Sequence, residues 1–347
     1  KLLITAFFAA LLFSYVTFSP DTLGYAQQDG REIALKSSVK VLVDDFIPQP
    51  LRGDATYFYN RLGGDRGATG DTLLEWGKGI VTATVRSGSS GGFSMNLNHP
   101  QKEGGVIDFS AILPKQIRSK YQSKITAIAV SVAGAKPGGT LKLELKDARG
   151  KTKKVFVARL HGEAQELNFD LAEDLSELTH ISQLALIMDN ATPGDHFAIR
   201  QIAFTATNPI KDPALAGFVW SYGMLLNNWN PDTGLVRDKS RDASGEIDAV
   251  QATGSLAAAT AVAYQLDIVS RKSAIRIVRK ISTALLNHLP RHEGLWPHWV
   301  TGPSMEILRG EEWSSVDSAI ALLGLMESQI VFGLDTSDTK AMLKAVN

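Results

Sequence analysis

The sequence has 347 residues with 36 basic and 36 acidic side chains, so its formal net charge is zero. This balance leaves no electrostatic footprint for nucleic acid or for an anionic membrane surface, and it is compatible with a neutral partner. No cysteine is present. Disulfides, thiolate metal sites and a lipid-modified cysteine are therefore excluded, and the core alone must hold the fold. The length and the 44% hydrophobic content predict two domains.

The chain begins with an apolar run over residues 2–13, followed by a small-residue site at residues 24–26. This pattern is typical of a secretory signal peptide, and the run is too short for a transmembrane helix. We therefore predict a signal peptide at residues 1–26, a secreted or periplasmic location, and no membrane span after cleavage. The alternative is an uncleaved N-terminal anchor.

Residues 39–208 have the pattern of a β-rich domain. Runs of β-branched residues with alternating polarity predict strands at 39–43, 79–85, 125–132, 140–145, 154–158, 184–188 and 196–204. Glycine-rich segments at 63–64, 87–92 and 137–139 are predicted to be turns. Many short strands without an intervening helical pattern favour a β-sandwich of the jelly-roll type.

The opening of this domain at residues 43–46 and its close at residues 197–204 resemble the first and last strands of galactose-binding-like and carbohydrate-binding-module sandwiches. The resemblance implies sugar binding on aromatic platforms and, in many such modules, a structural calcium. The candidate rings are Tyr57, Tyr59 and Trp76, and the candidate calcium ligands are Asp44, Asp45 and Asp71. The alternatives are that the rings pack in the core or at its rim and that the acids occupy turns and strand edges.

From residue 212 onward the pattern is helical. Asp212 followed by Pro213 predicts a helix that ends near residue 229, and further helices are predicted at 248–266, from the Ser270 cap to about 288, at 314–332, and after Asp335. Long connections alternate with short ones. If neighbouring helices are antiparallel, both long loops lie at one end of the helical domain, and Asp267 and Gly333 lie at the other.

The long loops and the helix starts that follow them collect acidic and aromatic residues. The candidate catalytic carboxylates are Glu246, Asp248, Glu312 and Asp317, because paired carboxylates act as acid, base or nucleophile on glycosidic bonds. The candidate substrate-binding residues are Arg237, Trp296, His298, Trp299 and Trp313. The alternatives are helix caps, solvated acids and packed loop anchors. A shared site requires a carboxyl group of the first two acids within about 10 Å of one from the last two.

The histidines of this region lack the spacing of a metal site, so no metal is predicted in the helical domain. Residues 230–238, 263–266, 294–299 and 312–319 together resemble the start of the glucoamylase-like domain, an (α/α) toroid of bacterial proteins that hydrolyse β-1,2-glucan or process cyclic glucans. The resemblance covers residues 213–347 and implies a catalytic role for Asp317, where some members of the family carry Glu. A complete toroid needs more helices than are predicted here, so we expect a C-terminally truncated chain. An inactive fragment, whose second catalytic carboxylate belongs to a later helix, is therefore an alternative to an active glycoside hydrolase.

The sequence therefore predicts a β-sandwich followed by the start of an (α/α) toroid. The expected activity is that of an exported carbohydrate-active protein, a glycoside hydrolase or transglycosylase acting on a bacterial glucan by carboxylate acid/base chemistry. The expected partner is an oligosaccharide or polysaccharide, and no cofactor is expected beyond the structural calcium. The alternative is a non-catalytic glycan-binding or envelope-assembly protein in which the helical domain is only a scaffold.

Overall fold

The computed structural model describes residues 38–44, 63–77, 79–97, 107–171, 175–238, 247–302, 304–308 and 310–345. The predicted signal peptide lies outside these ranges. The chain divides into two compact units. Of the described residues, those up to Ile112 and those from Ser123 to Lys211 form one unit, the β unit, and Leu113–Gln122 and the residues from Asp212 onward form the other, the helical unit. The segment Leu113–Gln122 thus belongs with the helices, although it lies within the stretch that the sequence assigns to the sandwich.

The β unit consists of two antiparallel sheets that share one core. Its strands are β1 (Ser38–Asp44), β2 (Gly63–Thr69), β3 (Thr72–Gly77), β4 (Ile80–Val85), β5 (Ser90–Leu97), β6 (Ile125–Ala135), β7 (Thr140–Asp147), β8 (Thr152–Arg159), β9 (Gln165–Asp170), β10 (Ile181–Asp189) and β11 (His196–Thr207). One sheet has the order β3-β4-β11-β6-β9, with β1 also paired to β11, and the other has the order β2-β5-β10-β7-β8. Buried side chains of both sheets, such as Phe93, Leu143 and Ile199, form a single cluster. The unit is therefore a β-sandwich.

All the predicted strands are confirmed, whereas one predicted turn is wrong and another is correct only in part. Residues 63 and 64 begin β2, and of residues 87–92 the first three form the bend before β5 while the last three belong to β5. Gly92 pairs with Ile187 of β10, and a Cβ atom at this glycine would lie 2.1 Å from the carbonyl oxygen of Leu186. The glycine therefore permits a close approach of two backbones inside the sheet, and turn formation is not its role.

The helical unit contains α1 (Pro213–Asn228), α2 (Val250–Gln265), α3 (Arg271–Thr283), α4 (Ser315–Phe332) and α5 (Ser337–Ala345), and a π-helical turn at Ala284–His288 continues α3. These bounds confirm the predicted helices to within about two residues. The side chains of Asp212, Ser270 and Ser314 accept hydrogen bonds from the backbone N–H groups of Leu215, Ser273 and Asp317, so each caps the helix that follows it.

Helices α2 and α4 run in the same direction and touch backbone to backbone. A Cβ atom on Gly254 would lie 2.2 Å from the Cα of Ala321, and one on Gly324 would lie 2.2 Å from the carbonyl oxygen of Gly254. Near the ends of the two helices, the rings of Tyr264 and Phe332 lie 5.3 Å apart. Glycine on both sides of the contact therefore lets the two helices approach more closely than any side chain would allow.

Helix α3 runs antiparallel to α4. At the start of α3, the Arg271 guanidinium donates to the carbonyl oxygen of Phe332, the last residue of α4. The short turn before α3, which holds Asp267, therefore lies at the same end of the unit as Gly333. The long loops lie at the opposite end, as the alternation of connection lengths predicts.

The segment Leu113–Gln122, here called the excursion segment, packs on α1 and on the turn between α2 and α3. Ile117 forms a β-bridge with Val269, and the backbone N–H of Arg118 donates to the carbonyl oxygen of Ile268 at 2.9 Å. Arg118 and Lys120 form ion pairs with Asp267 at 2.9 Å and 2.7 Å. The excursion segment thus completes the surface of the helical unit with backbone, apolar and ionic contacts.

Among the described residues, α4 is the helix long and apolar enough to cross a membrane by length and composition. Half of this 18-residue helix is buried inside the protein, and its buried residues include the polar Asp317, Ser328 and Gln329. Core helices of soluble proteins meet the same criterion, so this feature is weak evidence for a membrane span.

Candidate functional site

The two long loops of the helical unit meet in two small antiparallel sheets. In the first, β12 (Val236–Arg237) pairs with β13 (Ile247–Ala249), which pairs with β15 (Trp299–Thr301). In the second, β14 (Trp296–Pro297) pairs with β16 (Trp313–Ser314). Strand β13 leads into α2, whereas β15 belongs to the loop between α3 and α4. The two loops are therefore hydrogen-bonded to each other at one end of the helical unit.

His298 lies where the chain passes from one small sheet to the other. Its backbone N–H donates to the carbonyl oxygen of Glu312 at 3.1 Å, and its carbonyl oxygen accepts from the N–H of Val250 at 3.4 Å. One residue thus ties the segment before α4 to the first residue of α2. This double attachment fixes the position from which the imidazole ring projects.

The imidazole of His298 pairs with the carboxylate of Asp317. The distance from Nδ1 to Oδ2 is 2.5 Å, and the side chains are 25% and 5% exposed, respectively. Asp317 lies in the first turn of α4, where its N–H donates to the Ser314 hydroxyl at 3.2 Å. When the carboxylate is ionised, Nδ1 donates to it and Nε2 is left to exchange a proton with a ligand. The pair is therefore suited to acid/base chemistry.

The ring of Trp299 packs edge-on against His298, with ring centroids 4.3 Å apart and an interplanar angle of 84°. Trp299 is half-buried, as is Trp313, whose ring centroid lies 5.5 Å from that of His292. Glu312 is exposed. These three residues keep surface that a ligand can contact, and their roles stay predictions.

Trp296 requires a correction, because it was predicted to stack on a sugar. Its side chain is 0% exposed, its indole N–H donates to the carbonyl oxygen of Leu285 at 3.0 Å, and its backbone N–H donates to the Ser318 hydroxyl at 2.9 Å. Leu285 belongs to the π-helical turn, whose carbonyl groups need partners outside the helix. Trp296 is therefore a core anchor that joins this turn to the start of α4.

Asp248 also requires a correction, because it was placed in the first turn of α2. It lies in β13, opposite Arg237 of β12 and Val300 of β15, and its side chain is 3% exposed. Pairing on both sides keeps the backbone extended, so the helix begins only at Val250. Glu246 lies outside the described residues, and the expected distance between carboxylates across the two loops stays a prediction.

Sequence reasoning overlooked Ser314 and Ser318, which position the site. The Ser314 hydroxyl caps α4 by accepting a hydrogen bond from the backbone N–H of Asp317, and the Ser318 hydroxyl accepts one from the backbone N–H of Trp296. The signal for Ser314 was its spacing, since a serine three residues before an acidic residue is a common helix-start pattern. The role of Ser318 depends on a contact between residues 22 positions apart, and its local sequence carries no sign of it.

The β unit exposes one of its candidate rings. Trp76 of β3 is 47% exposed and packs edge-on against Phe93. Asp71 accepts a hydrogen bond from the Ser87 hydroxyl at 2.6 Å, as a turn residue does, and Asp44 lies in β1. Tyr57, Tyr59 and Asp45 lie outside the described residues. Over the residues that are described, no group of three or more His, Cys, Asp or Glu side chains is arranged to hold a metal ion.

No family model matches the sequence, and no curated protein matches it. Solved structures of family 29 carbohydrate-binding modules are similar to about half of the chain. One variant complexed with mannohexaose has a TM-score of 0.32 at 11% identity and covers 48% of this chain and 92% of that chain. A variant complexed with cellulohexaose has a TM-score of 0.33 at 9% identity, covering 51% and 99%. A module from Piromyces equi has a TM-score of 0.28 at 14% identity, covering 49% and 91%.

Proposed function

We propose that this chain belongs to an exported carbohydrate-active protein that cleaves or transfers glycosidic bonds of a bacterial glucan, with β-1,2-glucan as the first candidate. In this proposal the helical unit is the start of an (α/α) toroid. The carrying observation is the pairing of the two long loops, which brings the His298–Asp317 pair, Trp299 and Glu312 to one end of the helices. Acids and aromatic rings on loops held by a rigid scaffold are the usual makeup of a sugar site.

The proposed chemistry divides the work between the buried pair and the exposed acid. Glu312 donates a proton to the glycosidic oxygen as the bond to the anomeric carbon breaks. The His298–Asp317 pair takes a proton from the water or sugar hydroxyl that forms the new bond, with Asp317 holding the imidazole in one orientation. Trp299 and Trp313 offer apolar ring surface to the sugar. Asp248 of β13 is another carboxylate at the same end of the helical unit.

Product analysis tests the catalytic proposal. The purified full-length gene product is incubated with linear β-1,2-glucan and a panel of other glucans, and reducing ends and transfer products are measured. We expect Asp317→Asn and Glu312→Gln each to lower the rate by about 10²-fold or more, as the loss of an acid/base group does. Glu306→Gln is the matched control, because Glu306 is an exposed acid of the same loop whose side chain forms no hydrogen bond or ion pair with any residue that the structure describes. No cleavage or transfer by the wild-type full-length product on any glucan refutes catalysis.

The second candidate function is a non-catalytic glycan-binding or envelope-assembly protein. It is favoured by the state of two site residues, since the Asp317 carboxylate is 5% exposed and already paired, and Trp296 is buried in the core. Affinity electrophoresis against the same glucans separates the two functions. Retarded migration without release of reducing ends supports binding alone.

For the β unit we propose a jelly-roll sandwich that binds sugar through Trp76, the exposed ring on β3. Trp76→Ala in the full chain is expected to weaken retardation in a glucan gel about tenfold, because an aromatic platform contributes on the order of 1 kcal/mol or more. Unchanged migration of this variant assigns Trp76 to rim packing. Secretion or location in the periplasm is part of the same proposal and follows from the N-terminal segment.

A further inference from the structure

Helix α3 presents a basic face to solvent. Lys272, Arg276, Arg279 and Lys280 are exposed at helical spacing, whereas Ile277, Val278 and Ile281 of the opposite face are fully buried. The sequence of α3 contains no acidic residue. The four cations lie within nine residues, and the first and last are about 12 Å apart along the helix axis. A long stripe of positive charge therefore lies on one side of the helical unit.

These cations line a groove. Its volume is about 650 Å³, and its apolar wall is formed mainly by Pro231 and Ile275, because Trp229, which also lines the groove, is only 3% exposed. A second cavity of about 260 Å³ shares Lys280 and Thr283 with the groove and is bordered by Ser304 and Met305. Ser304 follows β15 closely and contacts the Thr301 hydroxyl at 2.6 Å. The basic groove thus continues towards the loop that carries the candidate site.

None of the four cations forms an ion pair with the surrounding described residues, although one acidic residue, Asp232, lines the adjoining cavity beside Lys280. Within the described ranges, Lys272, Arg276 and Arg279 form no ion pair, and Lys280 donates to the backbone carbonyl of Asp232 at 2.9 Å. Elsewhere in the chain the lysines at positions 120, 136 and 142 each pair with an aspartate. Like charges gathered around a groove raise its positive potential and attract an anion.

We propose that this groove binds an anionic oligosaccharide, whose carboxylate or phosphate groups pair with the cations of α3 while its apolar ring edges lie on the wall. A concave groove does not seat on a flat bilayer, and Trp229 is only 3% exposed, so it offers no face on which a nucleobase can stack. Arginine pairs with planar carboxylates through two parallel hydrogen bonds, which suits uronate groups. The groove is a binding site separate from the His298–Asp317 pair.

Affinity electrophoresis with polygalacturonate as the probe tests the proposal, with neutral dextran run in parallel. We expect Arg276→Glu/Arg279→Glu to bind the polyuronate at least about tenfold more weakly than wild type, because each charge reversal replaces an attraction by a repulsion. The matched control is Lys340→Glu/Lys344→Glu, which makes the same charge change on exposed positions of α5 and is expected to bind within about twofold of wild type. Arg276→Gln/Arg279→Gln, which removes the charge without reversing it, is expected to show a smaller loss.

Two further probes decide between polyanions. Stronger retention by phosphatidylserine vesicles than by polygalacturonate assigns the groove to a membrane surface and overturns the proposal. Equal affinity for single-stranded DNA and polygalacturonate makes the groove a non-specific polyanion site and also overturns the proposal. Equal loss of polygalacturonate binding in the α3 and α5 variants overturns the proposal as well. Cleavage of neutral glucans is measured separately, so the failure of either proposal is distinguishable from the failure of the other.

Discussion

Replacing Gly254 by alanine is expected to destabilise the helical unit, although alanine is the better helix former. The added Cβ atom would lie 2.2 Å from the Cα of Ala321 and 3.0 Å from its carbonyl oxygen. Carbon atoms in contact stay about 3.5–4.0 Å apart, so α2 and α4 must separate by more than about 1 Å. Because the clash is with backbone, no side-chain rotation relieves it.

Two opposing effects set the magnitude. The substitution gains about 1 kcal/mol in helix propensity. Separating the helices opens a gap along their contact, where a displacement of about 0.5–1 Å forfeits a quarter to a half of each atom pair's attraction, and overpacked cores lose about 1–3 kcal/mol or more. With the backbone contact at the severe end of that range, we expect a net loss of about 2 kcal/mol. At roughly 4 °C per kcal/mol, the unfolding temperature of the helical unit falls by about 8 °C.

Thermal unfolding followed by circular dichroism at 222 nm measures this change. Gly223→Ala is the matched control: it is also a glycine-to-alanine change inside a helix, but its new Cβ would meet the tip of the Leu113 side chain at 3.1 Å, which can move. We expect the control to lie within about 1 kcal/mol of wild type. Gly324→Ala tests the same contact from the other helix, and the double variant should lose less than the sum of the two. A Gly254→Ala protein that melts at or above the wild-type temperature would refute the reasoning.

Ser314→Ala removes the cap of α4 and is expected to lower the free energy of unfolding in urea by about 1 kcal/mol, as Ser270→Ala does on α3. Only Ser314→Ala should also impair glucan turnover, and equal turnover by the two variants contradicts the positioning role of Ser314. Ile117 of the excursion segment is 2% exposed, so Ile117→Ala should lower the free energy of unfolding of the helical unit by about 3 kcal/mol, and a loss below about 1 kcal/mol would show that the segment contributes little. The hydrogen bond from Lys136, helped by the Thr192 backbone, holds the pKa of Asp195 below its usual value. The resulting stabilisation is present above the unfolded-state pKa near 3.9 and is lost as pH falls through the lower folded value. In urea unfolding at a series of pH values, the stability of Asp195→Asn should therefore fall less steeply towards acid pH than that of Asp170→Asn, and equal slopes speak against the pairing. Burial raises the pKa of Glu327, so its charged form destabilises the folded state above pH ~4. Glu327→Gln should therefore be more stable than wild type at pH 7 and as stable as wild type at pH 3. Equal stability at pH 7 would count against the burial effect.

Local signals in the sequence were enough to predict the helices and most strands. Asp212 and Ser270 cap helices where the sequence places the caps, because capping depends on residues within one turn. Gly92 was misread because the atom that fills the space beside it belongs to Leu186, on a strand far along the chain. A glycine required by a distant neighbour has the same local sequence as a glycine required by a turn.

The site was predictable as a set of residues but not as an arrangement. His298 and Asp317 were both singled out, and the alternation of loop lengths placed their loops at one end of the helices. Their contact depends on the change of strand partner at His298, which only tertiary pairing determines. Asp248 and Trp296 were misassigned for the same reason, since a paired strand holds one and the core encloses the other.

The excursion segment has a consequence for biosynthesis. Lys120 and Asp267 are 147 residues apart in sequence, and they join parts of one unit that are synthesised before and after the second part of the β unit, Ser123–Lys211. Contacts of such long sequence separation form late and slow folding. During synthesis on the ribosome, the excursion segment therefore cannot form these contacts while the strands after it emerge, until the turn between α2 and α3 has been made. A single cut at residue 211 does not yield two self-sufficient halves, so transplanting the helices into another protein requires carrying these ten upstream residues along.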